Sequence, residues 1–172
     1  MIDDADLALA TQVLNACRAQ GLMLATAESC TGGLVAAALT AIAGSSDVVE
    51  RGFVTYSNAA KAELLGVPEP LIADKGAVSA EVAAAMAEGA VSRARVGLAV
   101  SITGIAGPGG ATPGKPVGLV HFGLTRQGMA TRTERRVFAG DRTAVRAQAL
   151  RRALELLLAG AQAAKTASPH AG

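Results

Sequence analysis

The chain has 172 residues, which fits one domain with a sizeable core. With 51% hydrophobic and 17% charged residues, it is not a chain that charge keeps unfolded. A net charge of +2, 2% aromatic residues and no Trp argue against nucleic-acid binding, which needs a basic stripe and aromatic faces for the bases.

Asp3 or Asp4 caps a first helix running to about Gln20, with Leu7, Leu14 and Cys17 at helical spacing and Gly21 as its stop. Asp3, Asp4 and Asp6 have the wrong charge for a secretory leader. No apolar run reaches the roughly 20 residues of a membrane span, so a cytoplasmic protein without membrane contact is expected. Leu22 to Ala27 is a short apolar run of the length of a buried strand, and Leu34 to Ile42 reads as a buried, alanine-rich helix broken at Gly44-Ser45-Ser46. A second strand is predicted within Val48 to Tyr56, and Ser57 or Asn58 caps a short helix that Gly66 closes after Leu65. Ser79 caps the next helix, which runs to about Arg95 with Glu81 in its first turn.

Val96 to Thr103 is then a strand with one face of small residues, followed by a glycine- and proline-rich loop from Gly104 to Pro116. Val117 to Arg126 and Thr131 to Phe138 are predicted as a hairpin turning at Gln127-Gly128. Gly140-Asp141 opens a last helix with Leu150, Leu154, Leu157 and Leu158 as its buried stripe. The expected architecture is a single α/β domain over residues 1–160, a three-layer α/β/α sandwich around a mixed sheet, followed by a flexible tail over 161–172.

Ligands of open α/β sheets bind beyond the carboxyl ends of the strands. Three segments fall there, Glu28 to Gly33, Tyr56 to Lys61 and Thr103 to Lys115, and all are rich in hydroxyls, glycines or both. Ser29 stands on a strand-to-helix turn where the amides of Thr31, Gly32 and Gly33 offer donors for an oxyanion or phosphate. The turn resembles a nucleophile elbow but lacks its first glycine, Ala27 standing there, and Ser29 as a plain helix cap is an equal reading. Cys30 is the rival nucleophile, ranked below Ser29.

His121 lies inside a predicted strand and His170 in the tail, so the better base for Ser29 is a lysine held neutral by burial. Lys61, among Ala59, Ala60, Ala62, Leu64 and Leu65, is the candidate, against the reading of a solvated surface lysine. Two cysteines and two histidines supply neither a disulfide framework nor a transition-metal cluster. The loop from Gly104 is neither a dinucleotide fingerprint nor a P-loop; it wraps a ligand phosphate or is a surface loop. The basic stretch Arg132 to Arg152 fits a small anion, with Arg142 and Arg146 one turn apart as paired phosphate donors or as solvated side chains.

Taken together, six segments resemble the CinA C-terminal family closely: Thr26-Ala-Glu-Ser-Cys-Thr-Gly-Gly33, Gly52-Phe-Val-Thr-Tyr-Ser-Asn58 with Lys61, Gly76-Ala-Val-Ser79, Ser101-Ile-Thr-Gly-Ile-Ala-Gly-Pro108, Lys115-Pro-Val-Gly118 and Phe138-Ala-Gly-Asp-Arg142. The resemblance spans about residues 5 to 160 and implies a nicotinamide-nucleotide amidase. Such an enzyme turns nicotinamide mononucleotide and water into nicotinic acid mononucleotide and ammonia, in pyridine-nucleotide salvage.

It further implies Ser29 as nucleophile and Lys61 as general base; Tyr56, in the same motif, is expected from its own chemistry to relay a proton or orient the lysine. Substrate contacts are expected from Cys30, Thr31, Gly32, Gly33, Asn58, Thr103, Gly104, Gly107 and, on the phosphate, Arg142. No metal or organic cofactor is expected, and a homodimer is. The N-terminal domain that longer relatives carry, associated with ADP-ribose pyrophosphatase activity, is not matched here. An amidase for another small amide and a non-catalytic interaction module are the competing readings.

Overall fold

The computed structural model describes residues 1–164, which form six helices and a five-stranded sheet. In chain order these are α1 (Asp4–Gln20), β1 (Leu24–Glu28), α2 (Leu34–Thr40), β2 (Val49–Val54), α3 (Asn58–Leu65), α4 (Glu69–Lys75), α5 (Ala80–Ala94), β3 (Leu98–Gly104), β4 (Leu119–Arg126), β5 (Arg132–Val137) and α6 (Arg142–Gln162). The sheet order is β2-β1-β3-β4-β5; β1 runs parallel to β2 and β3, while β4 is antiparallel to both β3 and β5. This is the expected mixed sheet.

Alternation along the strands divides the core in two. Leu98, Val100 and Ile102 of β3, with Val120, Phe122 and Leu124 of β4, pack against α1, α2 and α6. Ala25, Ala27 and Ala99 face α5, with α3 and α4 outside it, and there Val82, Met86 and Ala90 complete the second layer. Small residues on that face let α5 lie close to the sheet, and three layers result.

Helix starts follow the predicted caps. Asp3 closes a reciprocal box with Asp6, Ser57 accepts from the Ala60 amide, Ser79 from Val82 and Asp141 from Ala144. Strands β1 and β3 begin two residues later than expected, and for one reason. Leu22 and Val96 are still spent on the turns that end α1 and α5, their amides donating to the Cys17 and Val91 carbonyls.

Helix α4 went unpredicted, its Pro68 and Pro70 having read as breakers, although Glu69-Pro70 after Pro68 is a start signal. At the other end α6 carries through Ala161 to Gln162, where a tail was expected; residues 165–172, with Lys165 and His170, lie outside the described residues. Among the described residues no helix is long and apolar enough to cross a membrane.

Candidate active site

Parallel pairing sets the site. Glu28 of β1 pairs with Val54 on one side and Ile102 on the other, so Ser29 and Thr55 leave the sheet level with Thr103, the last but one residue of β3. The Ser29 amide donates to the Ile102 carbonyl at 2.9 Å, and the Thr55 amide to the Glu28 carbonyl at 2.8 Å, holding both exits to the sheet. Beyond them lies a cleft of about 210 Å³ lined by Ser29, Cys30, Tyr56, Asn58, Lys61, Thr103, Gly104 and Arg142, together with Ala77, Val78 and Ala106. Eight of the expected residues thus meet across four segments of chain.

Lys61 reaches the cleft from below. It shares the inward face of α3 with Leu65, four residues on, and only 1% of it is exposed. Its Nζ stands 3.1 Å from Ser29 Oγ and donates to the Thr55 carbonyl at 2.9 Å. Burial pushes its pKa below the ordinary lysine value, since the ammonium would have to be desolvated. With one N–H committed to Thr55, the amine lone pair can accept the Ser29 Oγ–H. The solvated-lysine reading is therefore excluded.

Tyr56 occupies another place than one beside the lysine. Its ring is 62% exposed, and its hydroxyl accepts from Arg142 at 3.1 Å across the cleft rim. Arg142 also donates to the Gly107 carbonyl at 2.9 Å, tying α6 to the glycine loop; Gly107 contributes backbone there rather than cleft lining. The partners that orient Lys61 are Ser29 and the Thr55 carbonyl. Thr103 donates to the Ala77 carbonyl at 2.8 Å, which draws the segment before α5 over the cleft.

The amide donors differ from expectation. Gly32 N–H donates to the Ser29 carbonyl at 3.0 Å, and Gly33 N–H to Glu28 Oε2 at 3.0 Å. The Leu34 amide donates to the Thr31 carbonyl, and those of Val35 and Ala36 to the Glu28 carboxylate. Among the described residues, only the N–H groups of Cys30 and Thr31 in this turn lack an acceptor. They directly follow Ser29, where an oxyanion on an attacked carbon would need donors.

Glu28 escaped the sequence reading as a functional residue. It is fully buried at the end of an apolar strand and caps the N-terminus of α2 through three amides. A lone carboxylate closing such a run, with Gly-Gly four and five residues later, was the available signal. Gly33 makes the cap possible: its φ of +100° belongs to glycine.

Cys30 is 7% exposed, and burial pushes its thiol up to about 12, so it is neutral packing beside the serine. His121 is a β4 residue opposite Thr103 and Arg135, and it does not line the cleft. Arg146 leaves the rim to Arg142: it donates to the Cys30 and Thr31 carbonyls, both at 3.1 Å. Among the described residues no cluster of His, Cys, Asp or Glu suits a metal ion.

Known proteins resemble this chain over nearly its whole length. The chain is 52% identical over 157 residues to the nicotinamide-nucleotide amidohydrolase PncC of Escherichia coli K12, covering 91% of this chain and 95% of that one. It is 60% identical over 129 residues to a CinA-like protein of Citrifermentans bemidjiense, of whose length it spans only 31%. The solved structure of the competence/damage inducible protein CihA from Agrobacterium tumefaciens superposes with a TM-score of 0.90 at 47% identity, covering 94% of this chain and 99% of that one. A CinA superfamily structure from Escherichia coli gives 0.86 at 39% identity, covering 92% of each. The family model of the CinA C-terminal domain matches residues 6–160, and with that span and these neighbours the chain belongs to the CinA C-terminal domain family.

Proposed function

We propose that this protein hydrolyses the carboxamide of nicotinamide mononucleotide, giving nicotinic acid mononucleotide and ammonia, with Ser29 as nucleophile and Lys61 as general base. One observation carries the chemistry: a buried, uncharged-leaning lysine amine 3.1 Å from a serine hydroxyl at the floor of a cleft. The substrate rests on the PncC relatives, which are named nicotinamide-nucleotide amidohydrolases, and on the match to nearly their whole length.

The neutral amine of Lys61 takes the Oγ proton while Oγ bonds to the amide carbon, and the carbonyl electron pair moves onto oxygen. The tetrahedral adduct collapses, the C–N bond breaks, and the nitrogen leaves as ammonia with the proton held by Lys61. A water molecule then gives its proton to Lys61 and attacks the nicotinoyl ester. Ser29 Oγ departs with that proton, and the acid product is released.

Thr103, Gly104, Ala77 and Ala106 offer a narrow floor for the flat pyridine ring. Arg142 on the rim meets the phosphate, exchanging its hold on Tyr56 and the Gly107 carbonyl for a charge-assisted pair. Asn58 is left for the ribose side. The setting that fits this reading is a cytoplasmic homodimer in nucleotide salvage.

The test is ammonia release by the purified protein from nicotinamide mononucleotide, free nicotinamide and a simple amide. The nucleotide is expected to be strongly preferred, and Ser29→Ala and Lys61→Ala to lose about 10³-fold or more while staying folded by circular dichroism. Preference for another amide reassigns the substrate. Absence of ammonia from all three sinks the hydrolase reading.

A further inference from the structure

The two unclaimed amides of the Ser29 turn are not free to swing. A trans peptide is planar, so holding its carbonyl oxygen fixes the direction of the N–H on the other side of the same plane. The Cys30 N–H shares its plane with the Ser29 carbonyl, which accepts from Gly32 N–H at 3.0 Å. The Thr31 N–H shares its plane with the Cys30 carbonyl, and that oxygen is held by Arg146 Nε at 3.1 Å. Arg146 Nη2 holds the next carbonyl, Thr31, at 3.1 Å, so one planar guanidinium grips two consecutive peptides from the side of α6. From the opposite end Glu28 anchors the amides of Gly33, Val35 and Ala36.

We infer that Arg146 is a positioning residue for the hydrolysis, aiming the Thr31 amide, together with that of Cys30, as the donor pair for the oxyanion that forms on the attacked carbonyl. The inference rests on the Ser29–Lys61 reading. It gives Arg146 a task distinct from phosphate recognition, because both of its hydrogen bonds go to backbone oxygens of the Ser29 turn. Lysine cannot replace it: an ammonium is a single point and cannot span two carbonyls in one plane.

The experiment measures kcat and KM for nicotinamide mononucleotide in the wild type, Arg146→Lys and Arg146→Ala, each checked for folding by circular dichroism. Both variants are expected to lose about 10²-fold in kcat, the scale of losing one oxyanion donor, with KM within about threefold of wild type. Added guanidinium chloride at millimolar concentration should restore part of kcat to Arg146→Ala and none to Ser29→Ala. The affinity for pyridine-3-carboxaldehyde, whose adduct with a serine carries an oxyanion, should fall in step with kcat.

A raised KM with kcat unchanged would overturn the inference in favour of a phosphate contact. Wild-type kcat in Arg146→Lys, or loss of folding in both variants, overturns it as well, the latter leaving Arg146 a structural clamp. A wild type that releases no ammonia removes this inference together with the reading beneath it.

Discussion

Lys61 carries a cost in the folded state that is also its use. In the unfolded chain its amine stays protonated up to about pH 10.5. In the folded protein burial lowers that pKa. Between the two values the unfolded chain binds the extra proton, so stability rises with pH across that window and levels off above the unfolded value. Lys61→Met, which fills similar volume without a charge, is expected to flatten that slope and to melt no lower than wild type at pH 6, while losing about 10³-fold or more in activity. Thermal melts of both proteins from pH 6 to 9 check it, and a slope that survives in the methionine variant removes Lys61 as its source. The acid limb of the activity profile should fall below the ordinary lysine range, since only the neutral amine accepts the Ser29 proton. Sequence brought this residue forward on its apolar neighbourhood, its place beyond a strand end and the family resemblance; its burial follows from α3 facing the sheet exit at Thr55, which a local reading does not contain.

At the level of elements, the seat of α3 decides where that amine points. α3 ends at Leu65, and its last carbonyl lies against α5 at Gly89, where an added Cβ would fall 2.0 Å from the Leu65 oxygen. Gly89→Ala therefore has to push the end of α3 away from α5, one turn beyond Lys61. An overpacking loss of about 1–3 kcal/mol is expected in urea denaturation, with kcat falling further than the lost folded fraction explains. Unchanged kcat per folded molecule would show that the lysine is seated independently of that contact. The elements themselves were largely legible, because Ser57, Ser79 and Asp141 are hydroxyl or carboxylate caps ahead of apolar periodicity. Short α4 was not, since Gly66, Pro68 and Pro70 read as loop signals although proline is tolerated in a helix's first turn. The fate of individual amides was hidden too: that Glu28 rather than a ligand takes Gly33 N–H depends on a buried carboxylate folding back along its own turn.

Across the whole molecule the first and last helices close the structure. Arg151 of α6 donates at 2.8 Å to both Asp3 and Asp6, the two residues of the α1 capping box, and Asp6 is 1% exposed. Arg151→Ala leaves that buried carboxylate with the Asp3 amide as its remaining partner and is expected to cost about 1–3 kcal/mol in urea denaturation, with activity per folded molecule unchanged because Arg151 stands apart from the cleft. A loss below about 0.5 kcal/mol would class the pair with ordinary surface ion pairs. Mixed sheet, layers and cleft position were all foreseeable from the alternation of strand and helix patterns; the α1–α6 clasp was not, joining positions 145 residues apart.

That same late helix sets the order of events during synthesis. α6 covers one face of β3 and β4, and brings Arg142 to the cleft and Arg146 to the turn of a serine made more than a hundred residues earlier. A ribosome adding about 5–20 residues per second therefore holds, for several seconds, a chain with Ser29 and Lys61 already synthesised and an apolar sheet face uncovered. The growing polypeptide is at its stickiest just before it becomes competent, and a message truncated ahead of Asp141 yields a chain for chaperones and proteases instead of a weakly working enzyme.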